Sequence, residues 1–271
     1  MTLFLGNSNI GLYRRSDLYF FASLAECISE VPASLRSLQL KNDDILDSIA
    51  GSIHFFTALA KGSFWNHLVE LELDNFEFDS VIHLLQHVSI PHLKKLSWTR
   101  PRRHSNDFFI NLIPSLREFE YYPYDSYFDG LNTENQGVDL NNFLNAFPNL
   151  TNLYVCHINN LVNFKPSKNC KHQRRVQIDS KQPEIDVSFL LELAQLPNLE
   201  WCLFSNDTKF KLTNQLNISS VDFENLSELH ITSCFLSETK INAKWLRKLV
   251  IKCKGSFSCN FSGFPYLEEL V

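Results

Sequence analysis

The stretch Asn225-Leu226-Ser227-Glu228-Leu229-His230-Ile231-Thr232-Ser233-Cys234-Phe235-Leu236 decides how the chain is read. Its apolar residues fall in the order L-x-x-L-x-L-x-x-C-x-L. Leu229 and Ile231 alternate with Glu228, His230 and Thr232, the period of two expected of a short strand with one buried face. One such match means little. What gives it weight is recurrence, because self-similarity at a period of tens of residues is the mark of stacked units, none of which buries its apolar face alone.

The half-unit L-x-x-L-x-L returns along nearly the whole chain. It stands at Leu35-Leu38-Leu40, Leu68-Leu71-Leu73, Leu93-Leu96-Trp98, Leu116-Phe119-Tyr121 and Leu150-Leu153-Val155. A poorer copy at Val176-x-Ile178 has Gln173 in the leading place. Better ones follow at Leu199-Cys202-Phe204, Leu226 and Leu246-Leu249-Ile251. From Leu35 onward the lead positions are spaced 33, 25, 23, 34, 23, 26, 27, 20 and 21 residues apart. Each half-unit predicts one strand. Between strands, Ser16–Ile28, Asp44–Ala60 and Ser80–His87 carry apolar residues at helical spacing and predict helices. Pro91, Pro114, Pro148, Pro197 and Pro265 stand just ahead of a lead residue, where each is expected to end the preceding helix.

This pattern resembles the leucine-rich repeat family, whose repeats run about 20–29 residues. The two long steps then read as loops or extended helices inserted on one side. The resemblance implies an α/β fold, a curved horseshoe solenoid with a parallel concave sheet and helices or irregular segments on the convex side. Cys234 would satisfy backbone groups where the chain leaves the strand. Residues 1–271 read as a single solenoid of about nine to eleven irregular repeats. The first residues, with Leu3, Leu5, Ser8 and Ile10 on the pattern, and the last, from Pro265 to Val271, both look cut through a repeat. In particular, the pattern resembles the irregular cytoplasmic repeats of fungal F-box-type proteins. In that family an amino-terminal F-box binds the Skp adaptor and the repeat concavity holds the substrate of a ubiquitin ligase. No F-box is expected from these residues: Ser16–Ile28 reads as one helix without a preceding Leu-Pro.

Composition narrows the functional classes. Net charge is −5 and the isoelectric point about 6.0, so no global positive field draws nucleic acid or an anionic membrane. The seven cysteines form an odd set without short paired spacings, as expected of reduced thiols in an intracellular protein, cytoplasmic or nuclear. The start of the chain lacks the charged and apolar regions of a signal peptide, and no apolar run is long enough to span a bilayer. Sequons begin at Asn149, Asn206, Asn217, Asn225 and Asn260, as expected by chance in an Asn- and Ser-rich chain.

A stacked parallel sheet exposes every second strand residue, and those positions can be read off. Glu70, Glu72, Asp74, Glu118 and Glu120 form an acidic patch interrupted by Lys95, which would steer a protein partner with a basic surface. Tyr122, Tyr154, Trp201 and Leu203 are of the types that dominate interfaces, and Arg175 and His230 share that face. The same alternation sends Ser97, Cys156 and Val250 outward. Two stretches stand apart. Tyr121–Asn142 is rich in Tyr, Asp and Asn and is longer than a connection needs. Arg100–His104 and Lys165–Arg175 are short basic runs, read as solvated loops.

Chemistry-bearing constellations are poor. His83 and His87 stand at i, i+4, but Leu84 occupies the place of the glutamate in the H-E-x-x-H motif. Neither a Gly-rich phosphate loop nor a G-x-S-x-G elbow is present. The expectation is a protein-interaction scaffold without enzymatic activity, metal or cofactor, binding on its concave face, as the substrate-recognition module of a ubiquitin-ligase receptor or a truncated relative does. The alternatives are a regulator of an enzyme such as a small GTPase, acting through Arg175, and an orphan repeat-family fragment.

Overall fold

The residues at the lead position and at three and five beyond it, most of them leucine, are the ones the repeats turn inward. Leu35, Leu38 and Leu40, Leu68, Leu71 and Leu73, and Leu93, Leu96 and Trp98 are all buried, as are Leu116, Phe119 and Tyr121. The same holds of Leu150, Leu153 and Val155, of Val176 and Ile178, and of Leu226, Leu229 and Ile231. The computed structural model describes residues 2–5, 34–41, 56–57, 59–76, 78–99, 113–122, 147–158, 171–180, 192–206, 221–232, 241–252 and 264–271. Several expectations lie outside them: the helix over 16–28, most of that over 44–60, the tyrosine-rich stretch beyond Tyr122, the basic run 100–104 and the first part of 165–175. Cys234 lies outside them as well.

The chain divides into two compact units, Met1–Asn132 and Thr133–Val271. In the first, β1 (Thr2–Leu5), β2 (Ser37–Lys41), β3 (Glu70–Asp74), β4 (Lys95–Thr99) and β5 (Glu118–Tyr122) pair in chain order, every pair parallel. In the second, β6 (Asn152–Ile158), β7 (Arg175–Ser180), β8 (Trp201–Asn206), β10 (Glu228–Thr232), β12 (Lys248–Lys252) and β13 (Glu269–Leu270) do the same. Parallel neighbours need a crossover, and a uniform order of crossovers gives an α/β, solenoid-like arrangement. A separate parallel pair, β9 (Val221–Asp222) with β11 (Ile241–Asn242), joins two successive repeats of the second unit. There Asn242 Nδ2 donates to Asp222 Oδ1 at 2.7 Å.

Five strands, β4, β5, β6, β8 and β13, are entered through the same turn. The N–H of the lead residue donates to the carbonyl three residues earlier: Leu93 to Ile90, Leu116 to Ile113, Leu150 to Phe147, Leu199 to Leu196 and Leu267 to Phe264, at 3.1–3.3 Å. Proline follows the accepting residue in all five, the second place of a tight turn, where its fixed φ is already correct. The prolines thus shape the entry to a strand. The accepting residue is itself a buried apolar anchor, including Ile90, Ile113, Phe147, Leu196 and Phe264.

The next bonds tie repeat to repeat. The carbonyl one residue past each lead accepts two N–H groups from the following repeat: Arg36 from Val69 and Glu70, Val69 from Lys94 and Lys95, Lys94 from Arg117 and Glu118. In the second unit Arg174, Glu200, Ser227 and Arg247 repeat the arrangement. Side chains reinforce it, for Asn225 Nδ2 donates to the Pro197 carbonyl at 2.6 Å and Asn198 Nδ2 donates to that of Lys171.

The expected helix over 80–87 is present as α1 (Phe78–His87). Val81, Leu84, Leu85 and Val88, at i, i+3, i+4 and i+7, are its buried stripe. A 3-10 turn over Ser63–His67 buries Phe64 and Trp65, and Trp65 Nε1 donates to the Leu59 carbonyl at 2.8 Å. Trp98 and Tyr121 meet edge to face, with centroids 5.8 Å apart. Asn75, at φ 63°, takes the left-handed conformation as the chain leaves β3, and its N–H reaches the Thr99 carbonyl at 2.9 Å. Among the described residues no helix is long and apolar enough to cross a membrane.

Candidate functional site

Register converts strand alternation into rows. In the first unit Ser37, Glu70, Lys95 and Glu118 stand side by side; so do Gln39, Glu72, Ser97 and Glu120, and Lys41, Asp74, Thr99 and Tyr122. All of the expected outward residues except Ser97 retain some exposure; Ser97 is buried, because a small side chain on a sheet is overshadowed by its longer neighbours.

The acidic patch is partly neutralised from within. Lys95 Nζ lies 2.7 Å from Glu118 Oε1 and 2.8 Å from Glu120 Oε1. Burial alone would lower the Lys95 ammonium, but the hydrogen bonds and charges of Glu118 and Glu120 outweigh it and hold it above its ordinary value. Lys95 therefore does more than interrupt the patch, since it binds two of its five carboxylates. Glu72 accepts from Gln39 Nε2 at 2.6 Å and Asp74 accepts from Thr99 Oγ1 at 2.7 Å. Glu70 is exposed. The charge left to act on a partner is thus concentrated along β3, where Glu70, Glu72 and Asp74 occupy alternate positions.

The second unit presents a different face. One row runs Tyr154, Gln177, Leu203, His230, Val250 across five strands, and the adjacent row runs Asn152, Arg175, Trp201, Glu228, Lys248, Glu269. Trp201 and His230 lie with ring centroids 5.8 Å apart at 48°, and His230 Nε2 is 3.6 Å from Glu228 Oε2. Tyr154, Trp201, Leu203 and His230 are half-buried. Two expected outward residues are not available: Cys156 is buried, beside the register shift that ends regular β6–β7 pairing, and Val250 is buried as well. Gln177 Nε2 approaches Cys156 Sγ at 3.7 Å. Lys248 pairs with Glu269 at 3.0 Å. Arg175 is exposed and makes no side-chain hydrogen bond or ion pair among the described residues.

Two features went unread in the sequence. Arg174 holds Glu200 through three hydrogen bonds of 2.6–3.0 Å, both exposed one place past their lead residues. Trp245 and Tyr266, just before lead residues where earlier repeats carry Asn198 and Asn225, stack at 5.3 Å and 4° and are about half exposed at 49% and 51%. The Lys244 ammonium lies 5.0 Å from the Trp245 ring centre. The signal for both was present, in residues at equal offsets from successive leads.

His83 and His87 stack on α1 at 4.1 Å, and His87 Nδ1 lies 2.7 Å from the His83 carbonyl. Burial, and then the neighbouring His87, lower the His83 pKa. Among the described residues no three His, Cys, Asp or Glu side chains gather as a metal site would require. No protein-family model matches the chain, and no curated protein matches it.

Proposed function

We propose that the chain is a leucine-rich repeat protein that binds a protein partner on the solvent-facing side of its parallel strands. The observation that carries this is the register: β6, β8 and β10 set Tyr154, Leu203 and His230 in one row, with Gln177 of β7 among them and Trp201 beside them. Half-buried aromatic and aliphatic groups aligned in this way resemble the cores of interfaces more than a solvated surface. The first unit contributes steering. Its three rows hold five carboxylates against two ammonium groups, with the surplus on β3, which favours a partner with a basic surface. Substrate recognition for a ubiquitin ligase belongs to this reading as the role that the family resemblance implies.

The test is a comparison of surfaces. Proteins retained by the immobilised chain are identified for the wild type, for Glu70→Lys with Glu72→Lys, for Trp201→Ala with Leu203→Glu, and for Asp79→Lys on α1 as a control. The reading expects a partner that the two sheet-face variants lose and the α1 variant keeps. Equal retention by all four would contradict it.

A further inference from the structure

The row Tyr154, Gln177, Leu203, His230 of the second unit runs across its strands, and that direction restricts what can lie on it. A peptide extended along a strand would meet only Trp201 and Leu203 on β8 before passing to Ser205. A peptide laid across the strands must present one side chain per strand. From Tyr154 on β6 to His230 on β10 there are three strand intervals, about 14 Å at ~4.8 Å each. An extended chain shows same-face side chains every ~6.8 Å and needs about 20 Å for three such steps. An α-helix rises 1.5 Å per residue, so positions i and i+11 are about 16 Å apart. The helix stays within about 2 Å of the row, whereas the extended chain runs off it.

Charge adds a second condition. Around the row, Glu228 already faces His230, and Lys248 faces Glu269. Arg175 remains, exposed, in register with Trp201 and without a side-chain partner among the described residues. A carboxylate on the occupant would meet it.

The geometry points to an amphipathic helix of a protein partner as the occupant of this row. It lies across β6, β7, β8 and β10, with apolar residues at i, i+7 and i+11 over Tyr154, Leu203 and His230. A polar residue at i+4 faces Gln177, and a neighbouring carboxylate faces Arg175. The Trp201 ring, tilted against His230, walls one side. The inference rests on the sheet-face reading above and gives that reading's partner a specific form.

The probe is a synthetic helix with leucines at i, i+7 and i+11, glutamine at i+4 and a glutamate placed for Arg175. Its control is an isomer of the same composition with the leucines at alternate positions. Each is titrated calorimetrically into the full chain. The helix is expected to bind, the isomer to bind at least about tenfold more weakly, and Leu203→Glu to weaken the helix by a similar factor. Melting temperature checks that Leu203→Glu leaves the fold intact. Arg175→Glu is expected to weaken the helix, and replacing the peptide's glutamate by lysine to restore it. If the isomer binds as tightly, if Leu203→Glu or Arg175→Glu changes nothing, or if the helix does not bind, the inference is overturned. The retention comparison above judges the sheet-face reading separately.

Discussion

Gln173 is the residue that fits its place least well. It occupies a lead position that leucine fills in the neighbouring repeats, is buried, and leaves both amide atoms without a hydrogen-bond partner among the described residues. Unsatisfied buried polar atoms cost about 1–3 kcal/mol, so Gln173→Leu is expected to raise stability by about that amount in urea unfolding. A sequence pattern can identify Gln173 as the missing lead, but only the structure shows that the amide is buried with nothing to bond. His83 carries the second prediction at this scale. Its pKa is lowered from 6.5 by burial and by His87, so below that value the unfolded chain binds more protons than the folded one. Stability therefore falls as pH drops through about 6.5 and below. His87→Gln removes the repulsion and should flatten that decline, as followed by melting temperature against pH. Cys202 differs again: burial pushes its thiol up to about 12, which keeps it protonated and inert.

The strands were legible because their signal is local and of period two: Leu71 and Leu73, or Leu229 and Ile231, declare the buried face without knowledge of any neighbour. The turn that feeds them was half-legible. Proline before the lead residue is visible in the sequence, yet its use, as the second residue of a turn closed by the lead N–H, depends on the buried anchor ahead of it, Ile113 in the case of Pro114. Pro114→Ala keeps the bond but frees the unfolded chain, and is expected to cost about 0.4–1 kcal/mol in urea unfolding. Equal offsets from successive lead residues mark which residues share a row, but not which of their side chains pair. Lys95 was seen as an interruption between carboxylates, whereas register places it against Glu118 and Glu120. Lys95→Gln removes the ammonium from between those two carboxylates. It should cost roughly 1 kcal/mol in denaturant unfolding at low salt, with the loss shrinking as salt screens the pair.

At the scale of the molecule, each unit is a stack in which a repeat is stabilised by its neighbours, so register has to propagate from strand to strand. Of the candidate site, the list of outward residues could be read from alternation, apart from Ser97, Cys156 and Val250. The acidic patch and the aromatic residues were already in that list; what alignment of the strands added is Lys95 bound to Glu118 and Glu120. Everything proposed about binding depends on that alignment, and residue-resolved amide hydrogen exchange on the full chain tests it most directly. The paired donors one and two places past each lead residue, Val69 with Glu70, Lys94 with Lys95, Arg117 with Glu118, Arg174 with Arg175, Glu200 with Trp201, Ser227 with Glu228 and Arg247 with Lys248, should exchange slowly, recurring from repeat to repeat. Fast exchange at these pairs, with protection gathered instead in continuous runs elsewhere, would contradict the parallel register and the rows built on it.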